Sequence, residues 1–380
     1  MIARFAIAVA ALLFSTAVLA HKPSDSYLTL RVDGAAIDGR WDIAVRDLDA
    51  VFDLDRNSDG RIDWGELRKR TDEIDGYAAA RLALASGGAR CPLAIADHAV
   101  DRHSDGSYLV LTLRATCASR VDALDVEYGL LFDIDAQHRG LLKLDGGGAG
   151  VVSAVFPEGH RKQSFAIGHV SALKQLRGFV ADGIEHIATG FDHLLFLVAL
   201  LLPSVLVRRG RRWEPVAGFA SVLRGVAGTV TAFTVAHSIT LSLATLSVVS
   251  LPSRLVESLI ALSVLLTALD NVWPILPRRR WQVAFAFGLL HGFGFASVLA
   301  DLDLPPSALA LSLFGFNLGV EAGQLAIVTL FLPFAFALRS TWAYRRMVVA
   351  GGSAAIATVA AAWFVERAFD VGVFGALAAR

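Results

Sequence analysis

The chain has 380 residues, of which 55% are hydrophobic and 18% charged, below the roughly 25% charged residues usual in soluble domains. Lys+Arg 35 balances Asp+Glu 35, which excludes a basic nucleic-acid binder and an acidic disordered tail. No lysine follows Lys174, and from Gly178 onward 14 arginines and 11 acids serve 203 residues. One half has an ordinary polar surface and the other is apolar, so a wholly cytoplasmic single domain is excluded as well.

Residues 1–20 read as a secretory signal: Arg4, an apolar run from Phe5 to Phe14, then small residues ending at Ala20. Cleavage there makes His21 the amino terminus. Residues 21–165 are expected to form an exported β-rich, sandwich-like domain. Its strand-like runs are Tyr27–Val32, Trp41–Val45, Tyr108–Leu113, Val126–Phe132, Arg139–Leu144 and Val151–Phe156, divided by Gly and Asp turns. Cys91 and Cys117 are the only cysteines. An oxidising compartment favours their pairing, and closing a loop of this length contributes roughly 3 kcal/mol.

Within that domain, 55–66 has the spacing of an EF-hand loop. Asp55, Asn57, Asp59, Asp63 and Glu66 supply oxygens at positions 1, 3, 5, 9 and 12, Arg61 offers its carbonyl, and Gly60 makes the turn. Hard oxygen donors in this number suit Ca²⁺. Leu67 to Ala80 is expected as the exiting helix, with no regular helix entering. His98, His103, His138, His160 and His169 read as surface or turn histidines.

A linker at 166–185 leads to a membrane domain at 186–365, followed by a short exported tail at 366–380. Six apolar stretches match the roughly 30 Å hydrocarbon layer: 186–206, 226–249, 255–276, 281–300, 309–335 and 347–365. Arginines follow the first, third and fifth stretches, at 208–212, 278–280 and 339–346, whereas Asp301 and Asp303 lie in an opposite loop. The positive-inside rule puts the arginine loops in the cytoplasm and the polar domain outside. That corresponds to a bacterial inner membrane with the amino-terminal domain in the periplasm.

Ionisable residues within these stretches need a partner or a task, because each costs about 3 kcal/mol or more to insert. His186, Asp192 and His193 fall on the first stretch, His237 on the second, Glu257, Asp270 and Asn271 on the third, and His291 on the fourth. Asn317, Glu321 and Gln324 make a polar stripe on the fifth. Imidazoles and carboxylates from several helices suit a divalent transition metal, histidine preferring Zn, Ni, Co or Cu, or a proton relay, or a zinc that activates water.

Four blocks carry a family resemblance: His186-Ile-Ala-Thr-Gly-Phe-Asp-His193, Phe233-Thr-Val-Ala-His237-Ser-Ile-Thr-Leu241, His291-Gly-Phe-Gly-Phe-Ala296 and Phe316-Asn-Leu-Gly-Val-Glu321-Ala-Gly-Gln-Leu325. Over about residues 178–365 the chain resembles the HupE/UreJ hydrogenase and urease accessory membrane proteins, in their longer form with an exported domain. Ile187 stands where the family pattern has proline. The resemblance implies uptake of nickel or cobalt, with His186, Asp192 and His193 as the metal-related motif, and a metalloenzyme-maturation or envelope protein as partner. Two other functions stay open at this stage: an intramembrane zinc-dependent hydrolase, and a non-transporting membrane-anchored binding or assembly module.

Overall fold

The computed structural model describes residues 24–103, 106–147, 151–168, 172–209, 212–277, 279–294, 296 and 306–369. The expected signal segment, His21, His169, the Asp301–Asp303 loop and most of the expected tail lie outside the described residues. The chain divides into two compact units, one built on the β-rich segment and one on the helices from Phe179 onward.

In the first unit, β1 (Asp25–Asp33) and β2 (Ala36–Ala44) form a tight hairpin, closed by Gly34 at φ 63°, a left-handed value that favours glycine. The chain then enters α1 (Val45–Phe52), α2 (Trp64–Arg68) and α3 (Thr71–Ala79). The strands that follow are β3 (Leu82–Ser86), β4 (Ala89–Cys91), β5 (Leu93–His103), β6 (Gly106–Thr116), β7 (Ala123–Tyr128), β8 (Arg139–Asp145), β9 (Val151–Phe156) and β10 (Lys162–Ala166). They make a six-stranded sheet in the order β5-β6-β2-β1-β8-β9, parallel only at β1–β8, and a four-stranded sheet in the order β10-β7-β3-β4. Alternation drives the burial: Leu28, Leu30 and Val32 of β1 point inward while Arg31 and Asp33 point out. Trp41, Leu111 and Leu142 from one sheet share a core with Leu84, Val126 and Tyr128 from the other, which is a sandwich. Cys91 and Cys117 are joined as a disulfide.

Three local expectations need correction. The run Val126–Phe132 stops being strand at Tyr128, because the Gly129 N–H is taken by the Arg81 carbonyl at 2.7 Å and Leu131 turns left-handed. A regular helix, α1, does enter the 55–66 loop; Val45 and Leu48 are its buried face. The exiting helix is broken into α2 and α3, since Arg70 leaves helical dihedrals between them. β5 gave no strand signal because most of its residues are exposed at the sheet edge and apolar alternation is absent.

The elements that follow in the chain are α4 (Ala172–Thr189), α5 (Phe191–Leu201), a short ribbon of β11 (Leu206–Arg209) and β12 (Arg212–Pro215), α6 (Phe219–Thr245), α7 (Ser253–Asp270), α8 (Arg280–His291), α9 (Pro306–Leu338), and a π-helical turn Tyr344–Gly351 continuing into α10 (Gly352–Phe369). Among the described residues each of the six apolar stretches contains helix, and the segment read as a linker is itself helical from Ala172. Among the described residues, three helical segments are long and apolar enough to cross a membrane: Phe219–Thr245, Leu309–Leu338 and Tyr344–Phe369. A fourth arises if the pair Gln175–Thr189 and Phe191–Leu201, bent by 70°, counts as one span. The described parts of the other two do not meet that measure. α7 carries Arg254, Glu257 and Asp270 in 18 residues, and α8, at 12 residues, is about 18 Å long against a layer of about 30 Å.

Backbones meet closely where side chains are lacking. A Cβ on Gly183 of α4 would lie 2.1 Å from the Phe316 carbonyl of α9, and one on Gly319 would lie 2.1 Å from the Val180 carbonyl. Only glycine allows that crossing.

Candidate metal centre

The site begins with a break in a helix. α4 ends at Thr189 and Gly190 adopts φ −73°, ψ 91° as the residue before α5. It accepts the Leu194 N–H at 2.9 Å while its own N–H reaches the His186 carbonyl at 2.8 Å. Seven residues along a straight helix separate two Cα atoms by about 10 Å, yet here the His186 and His193 rings are 4.7 Å apart. The expected continuous first span is thus a bent pair, and the bend forms with Ile187 in the proline's place. Ile187 is buried at the helix crossing, against Gly323.

His193 is the hub. Its ring lies 5.9 Å from His237 of α6 and 4.8 Å from His291 at the end of α8. One ligand atom from each of His186, His193 and His237 lies within 4.8 Å of the others; among the described residues His291 is not part of that compact group, though its ring lies beside His193. Phe196 and Phe233 wall the group, 5.1 and 5.3 Å from the His291 ring. His193 is 5% exposed, and His237 and His291 are fully buried.

Each of these three rings is held by one nitrogen. His193 Nδ1 is 2.9 Å from Asp192 Oδ1, His237 Nδ1 is 3.2 Å from Asn317 Oδ1, and His291 Nε2 is 2.9 Å from Ser263 Oγ. The second nitrogens, His193 Nε2, His237 Nε2 and His291 Nδ1, are buried and have no hydrogen-bond partner among the described residues. Leaving a buried polar atom unsatisfied costs about 1–3 kcal/mol. Histidines that bind metal show this division: one ring nitrogen oriented by a polar neighbour, the other directed at the ion.

The remaining candidates stand elsewhere. Glu321 accepts a hydrogen bond from Thr231 at 2.7 Å, and Gln324 accepts one from Thr234 at 3.1 Å, so the polar stripe of α9 zips to threonines of α6. Glu257 accepts from Ser253 of its own helix. Asp270 caps the turn after α7 through the N–H groups of Ile275 and Leu276, and Asn271 donates to the Ala199 carbonyl and Ser353. Ser263 escaped the sequence reading entirely. Its only signal was a hydroxyl at i−4 from Thr267 in an apolar helix.

In the loop at 55–66, the turn expected for a cation site is formed. Gly60 has φ +77°. Asp55 accepts the N–H groups of Asp59 and Gly60, Asn57 accepts that of Asp59, and Asp59 accepts that of Arg61. Asp63 and Glu66 cap α2 reciprocally at 2.9 and 3.1 Å. The set of hard oxygen donors fits Ca²⁺. A further group, Asp42, Asp101 and His103, already encloses the Arg40 guanidinium, which binds both carboxylates.

His138 is not the surface histidine expected: it is fully buried. Its Nδ1 lies 2.5 Å from Ser24 Oγ and its Nε2 2.6 Å from the Tyr128 hydroxyl. Ser24 donates onward to Asp47 at 2.7 Å, and on the other side Tyr128 meets Ser26, which accepts from the Trp41 indole. Burial pushes the His138 ring down to about 3, with Arg139 adding repulsion.

No curated protein and no solved structure matches the chain. The family described as HupE / UreJ protein matches residues 161–367, more than half of the chain and all of the histidine cluster, and the chain belongs to that family.

Proposed function

We propose that the chain takes up a divalent transition-metal ion, nickel or cobalt, through the bacterial inner membrane, with the β-sandwich on the periplasmic side and all six helical stretches within the bilayer. His186 and His193, with Asp192 behind them, receive the ion; His237 and His291 bind it deeper among the helices. The observation that carries this reading is the set of three buried imidazole nitrogens that have no hydrogen-bond partner and gather around His193. An anchor or assembly module predicts polar residues dispersed in self-satisfied pairs; Glu321 with Thr231 fits that description, whereas the histidines do not. Nitrogen ligands in an apolar wall suit Ni²⁺ and Co²⁺ and disfavour Mg²⁺ or Ca²⁺.

Uptake into proteoliposomes tests it. His193→Ala and His291→Ala are expected to abolish Ni²⁺ and Co²⁺ accumulation that the parent supports; transport at the parental rate by both variants contradicts the assignment. The 55–66 loop is a separate Ca²⁺ site in this proposal. Trp64, within it, is expected to change fluorescence on Ca²⁺ addition, and Asp55→Ala with Glu66→Ala to remove that response.

A further inference from the structure

A neutral imidazole has one N–H and one lone pair, and a metal ion takes only the lone pair. Which nitrogen offers it is decided by what the other one touches.

At His291 the partner is Ser263 of α7. The serine hydroxyl has a single hydrogen, and that hydrogen points to the Ile260 carbonyl, 2.7 Å away. The oxygen face turned to His291 Nε2 at 2.9 Å is therefore an acceptor. His291 must carry its proton on Nε2, leaving the lone pair on Nδ1, the buried atom with no partner.

At His237 the partner is Asn317 of α9, and the logic runs through the amide. Asn317 Nδ2 donates to the Leu313 carbonyl at 2.8 Å, one turn back along its own helix, which assigns the amide orientation. Its Oδ1 faces His237 Nδ1 at 3.2 Å and accepts only. His237 carries its proton on Nδ1 and presents its lone pair from Nε2, again a buried atom without a partner. The two histidines thus adopt opposite tautomers, and each exchanged tautomer would place an N–H where a lone pair now stands.

We propose that Ser263 and Asn317 are positioning residues that lock His291 and His237 in opposite tautomers, so that each presents a lone pair to a cation passing His193. The proposal rests on the metal-binding reading above. Neither residue touches the ion; each acts through its histidine, and both lie outside the His186–His193 motif. Ser263 also ties α7 to the site and Asn317 ties α9 to it, so the donor set stays aligned only while these helices hold their register.

Histidine ring ¹⁵N spectra of the full-length, metal-free protein test the tautomers directly, with signals assigned by His237→Gln and His291→Gln. The parent is expected to show Nδ1–H at His237 and Nε2–H at His291. Ser263→Ala and Asn317→Leu are expected to mix or invert the tautomer of the facing histidine and to weaken Co²⁺ binding about 10–100-fold. Ser263→Thr and Asn317→Asp, which keep an acceptor in place, are expected to restore both readouts. Parental spectra showing the reverse tautomers overturn the proposal even where a variant does not fold. So do Ser263→Ala and Asn317→Leu proteins with unchanged tautomers and unchanged Co²⁺ affinity. A parent with the stated tautomers but no Co²⁺ binding upholds the locking and overturns the metal-binding reading instead.

Discussion

The molecule holds two groups of buried histidine, and they are built on opposite principles. Around His138 every hydrogen has a receiver. The Trp41 indole donates to Ser26, the Tyr128 hydroxyl bridges Ser26 and His138, and His138 passes its Nδ1 hydrogen to Ser24, which donates to Asp47. The chain is closed, and a closed network rigidifies the fold and asks for nothing more. Around His193 the accounting does not close: three ring nitrogens remain with no partner among the described residues. Residue type and burial are the same in both places. What separates a structural histidine from a ligand-binding one is the unmatched lone pair.

Exchanging the two histidines gives the largest expected contrast. His193→Ala should lower Co²⁺ affinity at least about 100-fold, more than loss of an orienting partner does, with little loss of fold. His138→Ala should leave Co²⁺ binding within about twofold, yet destabilise the sandwich by about 2–4 kcal/mol through the stranded Ser24 and Tyr128 groups. Metal titration and denaturant unfolding of both variants read the two effects separately. If His138→Ala impairs metal binding as much as His193→Ala does, the distinction between the clusters is lost.

Acid sharpens the contrast next. The His138 ring sits near 3 in the folded protein against about 6.5 in an unfolded chain. The unfolded state therefore binds the extra proton across that window, and stability conferred above pH 6.5 is lost as pH falls towards 3. Between pH 6.5 and 4.5 this residue alone should remove about 2–3 kcal/mol, read as a falling urea midpoint for the β-rich unit. His138→Phe should flatten the slope over that range, and an unchanged slope would assign it to other groups. The smallest effect is expected at Glu321. Because its carboxylate is engaged by Thr231 rather than by the histidines, Glu321→Gln should shift Co²⁺ affinity by no more than about threefold; a tenfold loss would return Glu321 to the ligand set.

Much of this was legible in the residues. The cost of burying imidazole in an apolar span marks His186, His193, His237 and His291 without any coordinates, and alternation in Tyr27–Val32 and Tyr108–Leu113 marks the sandwich. The rest depends on tertiary facts that leave no local trace. The apolar run at 186–206 continues straight through Gly190, so nothing in composition announces a 70° bend. Ser263 looks like any helix serine until His291 is brought beside it from α8. Glu321 shares a stripe with Asn317, but the register between α6 and α9 gives Asn317 to a histidine and Glu321 to a threonine. His138 follows a turn and reads as exposed; the strands that cover it come from distant parts of the chain.

X-ray absorption of the Co²⁺-loaded, full-length protein addresses the metal centre most directly. The spectrum is expected to show at least three imidazole nitrogens around cobalt, with a loss of imidazole scattering in His193→Ala. Cobalt held by oxygens alone, with a spectrum indifferent to His193→Ala, would contradict the account.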